Sequence, residues 1–390
     1  MTAIPLPPST HAALRVLVVD DVGFMRIALR QIIETDGDML VVGEARNGEE
    51  ALALARDLKP DIVTMDVEMP VMDGIEATRR ILAEVAPKPI VIMVSSYTQA
   101  GAAATVKALR NGAADFVSKE SAFSKTDLGH IDAKLREKIR VLAKQRIWAG
   151  DDGFPGWTAG AAAERDNQRG RERDQERDQE KIARERRQPS GPVDLIAIGA
   201  STGGPEALGV LLGALGPIAP PIVIAQHMPE FFTACLAESL SRDTGLTVRE
   251  GEHRKAVPPG EVTILPGGRD AIVAPQLGGG FELRLTQSAS VVHPSADLLF
   301  ESVAMAARNP VAVILTGMGD DGTRGAGRFA RRGLPVLVQR PDSCVIGGMP
   351  GAAIEAGVAS GSFSLIDLAR NLRHWASAGF HPRKAEMAKP

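Results

Sequence analysis

Aromatic residues and cysteine are both scarce in this chain of 390 residues. Aromatic side chains make up only 4% of it, which argues against a surface on which bases or sugars stack. The two cysteines, Cys235 and Cys344, cannot form a disulfide framework or a four-cysteine metal site. A reducing compartment is therefore the expected environment.

Long hydrophobic runs and an excess of charge of one sign are also missing. No apolar run reaches the ~18 residues of a membrane-spanning helix, and the N-terminus lacks the basic start and apolar stretch of a signal peptide. Lys and Arg number 45 against 48 for Asp and Glu, which disfavours a mainly electrostatic partner such as duplex nucleic acid. We therefore expect a soluble cytoplasmic protein with no nucleic-acid partner and no segment inserted into a membrane.

Hydrophobic residues, in contrast, make up 44% of the chain and follow a repeating order. Continuous apolar runs typical of buried parallel strands alternate with segments of helical spacing. Five such strand–helix units occupy residues 14–133, and a second, longer series occupies residues 193–385. The pattern predicts an α/β protein with two doubly wound parallel-sheet domains, the first flavodoxin-like and the second Rossmann-like.

Two segments lie outside these predicted domains. Residues 1–13 are rich in proline and predict a flexible tail. Residues 134–192 are predicted to hold the end of a helix and a charged linker, in which 164–187 carry nine basic and eight acidic side chains. That composition cannot bury a core, although its opposite charges would also allow a helix. The matching acids argue against a nucleic-acid-binding arm.

Acidic, hydroxyl and amine side chains stand at the strand ends of the first domain. Asp20 and Asp21 end the first predicted strand and Asp66 the third, while Ser95 and Lys119 end the fourth and fifth. In an open parallel sheet these ends meet at one edge. Each acid alone is equally well explained as a helix cap. Three converging carboxylates, however, would repel each other unless a hard cation such as Mg²⁺ neutralised them, and one could then act as a nucleophile.

Residues 14–133 resemble the receiver domain of two-component response regulators, on the basis of these same residues. The resemblance implies that Asp66 accepts a phosphoryl group. It also implies that Mg²⁺ is held by Asp20, Asp21 and Asp66.

Further roles follow from the receiver resemblance for residues near the phosphoacceptor. Ser95 is implied to be the switch hydroxyl, Phe116 the switch aromatic and Lys119 the phosphate-binding lysine. The sequence departs from the receiver pattern at Glu120, where receivers usually have a proline. The resemblance therefore does not define the loop that follows Lys119.

A serine in the second domain stands in a G-x-S-x-G pattern between a predicted strand and a predicted helix. Ser201 on such a tight turn would be exposed beside the free N–H groups of a helix N-terminus, which can stabilise an oxyanion. An ordinary N-cap serine gives the same local pattern. A nucleophilic serine needs a base, and His227 directly ends the neighbouring predicted strand. His253 and His293 are not excluded by position.

The third requirement of such a site is a carboxylate that orients the imidazole. The stretch LTGMGDDG follows another apolar strand and supplies two candidates, Asp320 and Asp321. The resulting order of Ser, His and Asp differs from that of the α/β hydrolases. The same stretch fits G-x-G-x-x-G, but its two adjacent carboxylates would repel a pyrophosphate, so a dinucleotide site is the weaker alternative.

The stretches IGASTGGP, QHMP, LPGG and LTGMGDDG resemble the catalytic domain of the CheB methylesterases, and the order of receiver, linker and esterase matches as well. This resemblance implies that Ser201 is the nucleophile, His227 the base and Asp321 the orienting carboxylate. It also implies an oxyanion site near Thr202 and the backbone amide of Met318.

The reaction implied by the CheB resemblance is hydrolysis of glutamate methyl esters on chemoreceptors, with release of methanol, and deamidation of receptor glutamines. The implied phosphodonor is the histidine kinase CheA, and the esterase step is expected to need no cofactor. We also expect a monomer in which the unphosphorylated receiver restrains the esterase. A receiver-linked transcription factor is disfavoured, because residues 193–390 show no compact basic helical domain.

Overall fold

The computed structural model describes residues 13–96, 98–119, 128–149 and 189–377. Residues 1–12 of the predicted tail, Glu120 and the charged run 164–187 lie outside the described residues, as does the predicted end of the catalytic domain beyond residue 377. In the part of the chain that is described, no helix is long and apolar enough to cross a membrane.

The first domain contains five parallel strands and the helices that connect them. The strands are β1 (Leu14–Val19), β2 (Met39–Ala45), β3 (Ile62–Asp66), β4 (Ile90–Ser95) and β5 (Asp115–Ser118). The helices are α1 (Gly23–Glu34), α2 (Gly48–Leu58), α3 (Gly74–Glu84), α4 (Gln99–Arg110) and α5 (Leu128–Ala149). The strand order is β2-β1-β3-β4-β5, which confirms the predicted parallel α/β sheet.

The position of the phosphoacceptor candidate follows from this strand order. β3 and β4 are buried along their whole length, as expected for central strands of a parallel sheet. β1 and β3 are neighbours, with Val19 opposite Met65. Asp20 and Asp66, which come next in each strand, therefore leave the sheet at the same edge.

The second domain contains a seven-stranded parallel sheet. Its strands are β6 (Ile196–Ala200), β7 (Ile222–Gln226), β8 (Val248–Glu250), β10 (Val262–Ile264), β13 (Val311–Ile314), β14 (Val336–Gln339) and β15 (Gly361–Phe363). Its helices are α6 (Gly204–Leu215), α7 (Phe232–Thr244), α8 (Ala296–Ala306), α9 (Thr323–Arg331), α10 (Gly348–Glu355) and α11 (Leu365–Ser377). The order β15-β14-β13-β6-β7-β10-β8 confirms the predicted doubly wound domain and places β6 between β13 and β7.

A small antiparallel sheet, which the sequence patterns do not predict, accompanies the seven-stranded one. It consists of β9 (Ala256–Val257), β11 (Asp270–Pro275) and β12 (Phe281–Thr286), in the order β11-β12-β9. β12, in the stretch FELRLTQS, pairs antiparallel with β11 rather than joining the large sheet. The short apolar runs of β9 and β11 are too brief to carry a clear period, which explains why the sequence did not reveal them.

Two aromatic rings pack together where helices α8 and α9 meet beside the large sheet. Phe300 of α8 and Phe329 of α9 are fully buried and meet edge to face, with centroids 6.1 Å apart and planes at 69°. Helix α8 begins directly after Ser295, and α9 begins two residues after Asp321. This contact therefore helps to fix the position of both segments.

Candidate functional site

Ser201 lies on a tight turn between β6 and α6. Its N–H donates to the Thr316 carbonyl at 3.0 Å, and its carbonyl accepts the Gly204 N–H at 2.8 Å. Gly203 has a φ of +77°, and a Cβ added there would lie 2.6 Å from the Cβ of Val345. The turn that presents Ser201 therefore depends on glycine for both its backbone conformation and its packing.

His227 stands beside this turn because β6 and β7 are parallel neighbours. Ala200 is paired with Gln226, and the His227 N–H donates to the Ala200 carbonyl at 3.0 Å. Ser201 and His227 thus follow adjacent strand ends at the carboxyl edge of the sheet. This is the arrangement that the sequence pattern predicted for them.

A close contact joins the His227 imidazole to Asp321. The Nε2 atom of His227 lies 2.7 Å from the Asp321 Oδ2, and the two side chains are only 10% and 11% exposed. Asp321 thus contacts Nε2 and not Nδ1, the other ring nitrogen. Asp320 is exposed, so of the two adjacent acids it is Asp321 that reaches the histidine.

The Asp321 carboxylate also accepts hydrogen bonds from the N-terminus of α8. It accepts the N–H groups of Ala296 at 2.6 Å and Asp297 at 3.0 Å, and the Ser295 hydroxyl at 3.1 Å. Burial alone would raise the pKa of Asp321. The hydrogen bond and charge of His227, together with the α8 N–H groups, outweigh burial and hold that pKa below its ordinary value. Asp321 therefore stays ionised beside the imidazole.

The other two histidines that sequence position left open have different partners. His253 Nδ1 accepts the Leu285 N–H at 3.1 Å. His293 Nδ1 lies 3.0 Å from Asp270 Oδ2. Of the three candidates, only His227 combines a position next to Ser201 with a contact to Asp321.

The loop of Gly317 and Met318 packs directly against the serine turn. A Cβ added at Gly317 would lie 2.8 Å from Ser201 Cβ and 2.2 Å from Met349 Sδ, so only glycine permits this approach. Within the described residues, the Met318 N–H donates to no protein group. Thr202 is buried, and its carbonyl accepts the Thr316 hydroxyl at 2.9 Å. The Met318 amide is thus available to an oxyanion formed near Ser201.

Three residues that support this site were missed by sequence reasoning. The Gln226 Nε2 donates to the Ser201 carbonyl at 2.9 Å, and Thr316 binds the backbone on both sides of the serine turn. Ser295 caps α8 and donates to Asp321. The signals were weak: Gln226 is a polar residue at the end of an apolar run, and Ser295 precedes a helix as many N-caps do.

The acidic cluster predicted for the first domain is also assembled. Carboxylate oxygens of Asp20, Asp21 and Asp66 lie within 4.8 Å of one another. Lys119 Nζ lies 2.9 Å from Asp20 Oδ2 and 2.7 Å from Asp66 Oδ2. Burial raises the pKa of Asp66 to about 6, although Lys119 acts in the opposite direction. Burial would lower the pKa of Lys119, but its close contacts with the carboxylates of Asp66 and Asp20 outweigh that effect and raise it.

This cluster fits a divalent cation by its donor set. Three carboxylates at a strand edge are the hard oxygen ligands that Mg²⁺ prefers. In addition, Asp20 Oδ2 is buried without a hydrogen bond of suitable geometry, even though Lys119 lies near it. A single lysine therefore does not satisfy the oxygens that the three acids bring together.

The remaining receiver candidates lie on β4, which is the neighbour of β3, and on β5, which follows β4 in the sheet. Ser95 is buried at the end of β4, where its hydroxyl donates to the Ser96 carbonyl at 3.3 Å. It is paired with Ser118, the residue before Lys119. Phe116 is largely buried in β5, opposite Met93. Both residues are thus on strands that end at the edge holding the acidic cluster.

Two family models match the chain. The CheB methylesterase model matches residues 196–372, which contain the serine, histidine and aspartate described above. The response regulator receiver domain model matches residues 16–128, which contain the acidic cluster.

Curated relatives match along almost the whole length. A protein of Desulfitobacterium hafniense (strain Y51) is 36% identical over 380 residues, covering 92% of this chain and 96% of its own. A protein of Oleidesulfovibrio alaskensis is 39% identical over 363 residues, covering 92% and 98%. A protein of Thermotoga maritima is 38% identical over 354 residues, covering 90% and 95%. All three are named as a protein-glutamate methylesterase/protein-glutamine glutaminase.

Proposed function

The chain belongs to the CheB methylesterase family, and from that premise we propose that Ser201, His227 and Asp321 form its hydrolytic triad. The protein is a phosphorylation-regulated hydrolase, a protein-glutamate methylesterase and protein-glutamine glutaminase that acts in chemotaxis. The observation that carries the residue assignment is the 2.7 Å contact between His227 and Asp321 at the strand end next to Ser201.

In the proposed mechanism, His227 acts on Ser201 through Nδ1, because Asp321 occupies Nε2. Nδ1 takes the hydroxyl proton as the Ser201 Oγ attacks the ester carbonyl carbon. The tetrahedral intermediate expels methoxide, which receives that proton from His227 and leaves as methanol. Water, deprotonated by the same nitrogen, then attacks the acyl carbon; glutamate is released, and the Ser201 Oγ recovers a proton from His227. With a glutamine substrate the same sequence releases ammonia.

We assign charge stabilisation in this reaction to two groups. Ionised Asp321 stabilises the imidazolium that forms while the proton resides on His227. The Met318 N–H, which has no acceptor in the described part of the chain, is proposed to donate to the oxyanion, next to Thr202. This part of the site uses only protein groups, and we propose that the esterase step requires no cofactor.

In the receiver domain, we assign Asp66 as the phosphoacceptor. Asp20, Asp21 and Asp66 would hold Mg²⁺, which, when bound, neutralises the carboxylates and the oxygens of the incoming phosphoryl group. Lys119 is placed to hold phosphoryl oxygens, because its ammonium already contacts Asp66. Ser95 and Phe116 are assigned as the residues that respond to phosphorylation.

The receiver and esterase domains together imply a kinase as phosphodonor and a chemoreceptor as substrate. We propose that the kinase is CheA, that the protein acts in the cytoplasm and that it is a monomer. Neither nucleic acid nor a membrane is a proposed partner. The dinucleotide alternative is weakened by Asp321, whose carboxylate is already engaged by His227 and α8 rather than directed toward a phosphate.

The test is methanol release from chemoreceptor membranes that carry labelled methyl esters. The full-length protein should release labelled methanol, and Ser201→Ala should lose about a millionfold in rate while keeping its circular dichroism spectrum. A folded Ser201→Ala protein that keeps more than a few per cent of the activity would show that another residue is the nucleophile. Tight binding of a dinucleotide without methanol release would instead favour the alternative.

A further inference from the structure

A second buried carboxylate, that of Asp270, contacts the loop that leads into helix α8. The N-terminus of α8 in turn binds Asp321. Asp270 begins β11 and is 1% exposed. Its Oδ1 accepts the Ser295 N–H at 2.7 Å, and its Oδ2 lies 3.0 Å from His293 Nδ1. The Ser288 hydroxyl also donates to Oδ2. One carboxylate thus holds both ends of the loop from Ser288 to Ser295.

This loop ends at the residue that contacts Asp321. The N–H of Ser295 donates to Asp270, while its hydroxyl donates to Asp321 Oδ1 at 3.1 Å and caps α8 by accepting the Leu298 N–H. The next N–H, that of Ala296, donates to Asp321 Oδ2. A continuous series of contacts therefore runs from Asp270 through Ser295 to Asp321 and on to His227.

We propose that Asp270 is a positioning residue of the hydrolytic site, acting through Ser295 on the orientation of Asp321. This inference rests on the proposed function, because Asp321, the residue that Asp270 would position, belongs to the proposed triad of Ser201, His227 and Asp321. Burying a carboxylate costs folding free energy unless the carboxylate is paired and hydrogen-bonded. Here the partners of Asp270 all lie in the loop from Ser288 to Ser295. That loop leads directly into the N-terminus of α8, which binds the Asp321 carboxylate.

Asp270→Asn is the informative substitution because it keeps the side-chain volume. The asparagine retains a carbonyl oxygen for the Ser295 N–H, but its NH₂ group cannot accept from Ser288 and His293. We expect kcat to fall about tenfold, the effect of weakening one charge-assisted hydrogen bond. KM should stay unchanged, because Asp270 is buried and cannot contact a receptor.

A double-mutant cycle tests the route of the effect. Ser295→Ala removes the hydroxyl that reaches Asp321, and its kcat should also fall. If Asp270 acts through Ser295, the double variant should be about as slow as the slower single variant. Losses in kcat that multiply in the double variant would overturn the proposal.

The matched control is Asp194→Asn. Asp194 precedes β6 and likewise accepts two backbone N–H groups, those of Arg308 at 2.7 Å and Asn309 at 3.1 Å. It anchors a loop at the opposite edge of the sheet, so its substitution should lower the melting temperature without changing kcat. If Asp270→Asn behaves in the same way, its role is structural and the proposal fails.

The assay is methanol release by the full-length protein at varied concentrations of a methylated receptor fragment. If Asp270→Asn does not fold, Ser288→Ala replaces it, since exposed Ser288 supplies only one donor to the carboxylate. That variant should lose about threefold in kcat, and an unchanged kcat would overturn the proposal. Absence of turnover by the wild-type protein would contradict the proposed function itself, which separates the two failures.

Discussion

The Asp321 carboxylate is shared between the His227 imidazole at 2.7 Å and the Ala296 N–H at 2.6 Å. A helix N-terminus carries partial positive charge and favours an anion. Helix α8 therefore adds to the effect of His227 in keeping Asp321 ionised, and it also fixes the direction of the carboxylate. An ionised, oriented carboxylate is what a histidine needs if it is to become positively charged during catalysis.

Substitution of the two adjacent acids should separate their roles. Asp321→Asn should reduce kcat by about ten-thousandfold, because an amide cannot stabilise an imidazolium and favours the wrong histidine tautomer. Asp320→Asn should be tolerated, since Asp320 is exposed. Methanol release by the two purified proteins provides the comparison. Equal losses, or a greater loss for Asp320→Asn, would show that the assignment of Asp321 is incorrect.

The glycine of the serine turn should be far less replaceable than a glycine in the helix that follows. Gly203→Ala forces a positive φ on alanine and a clash with Val345, so stability should fall by about 2–4 kcal/mol. Gly213 of α6 has no neighbouring atom within 4 Å of an added Cβ, and Gly213→Ala should stabilise by about 0.5–1 kcal/mol. Calorimetry of the full-length variants measures both. Similar stabilities would contradict the packing described for Gly203.

Much of the architecture was predictable because it depends on local pattern. Continuous apolar strands alternating with amphipathic helices indicated two parallel sheets, and both are present. Ser201 and His227 each directly follow an apolar strand, so the rule for strand ends placed them together. The choice between Asp320 and Asp321 came only from the family resemblance, since side-chain direction in a glycine-rich loop is not encoded in its pattern.

The supporting contacts could not be predicted from local pattern. The segment Ser288–Ser295 shows no clear period, and its anchoring to Asp270 depends on pairing between β11 and β12. That sheet is antiparallel and built from short strands, for which hydrophobic periodicity is a weak signal. Gln226 looks like one polar residue in a strand until the fold brings the Ser201 carbonyl to its amide.

The buried carboxylate of Asp66 should destabilise the receiver at neutral pH. Burial raises the Asp66 pKa to about 6 from 3.8, so the unfolded state loses this proton first as the pH rises. The cost to folding begins near pH 4, grows until about pH 6 and is then constant at about 3 kcal/mol. Asp66→Asn should therefore stabilise the receiver above pH 6 and have little effect below pH 4.

Amide hydrogen exchange of β1 and β3 in the full-length protein, with divalent cations removed, measures this difference. Addition of Mg²⁺ should reduce it, because a bound cation stabilises the ionised carboxylates of the wild type. A stabilisation by Asp66→Asn that is equal at pH 4 and pH 7 would show that the effect does not arise from the titration of Asp66.

Phosphorylation of Asp66 should increase esterase activity by releasing a restraint imposed by the receiver. The proposed hydrolytic residues Ser201, His227 and Asp321 all lie in the second domain, so the contribution of the receiver to hydrolysis is expected to be regulatory. If the restrained form is favoured by ~1.4 kcal/mol, about nine molecules in ten are inactive, and full release yields at most about a tenfold increase. A larger increase would require a more strongly favoured restrained form or a direct change at Ser201.

The measurement is methanol release by the full-length protein with and without a small-molecule phosphodonor and Mg²⁺. The rate of the wild type should rise when the phosphodonor and Mg²⁺ are both present, and it should not change with either one alone. Asp66→Asn should not respond, because its amide cannot accept the phosphoryl group. Lys119→Ala should respond weakly, since the ammonium that lies 2.7 Å from Asp66 would no longer stabilise phosphoryl oxygens. If the donor activates Asp66→Asn as strongly as the wild type, the phosphorylated residue is not Asp66, and the regulatory assignment of the acidic cluster fails with it.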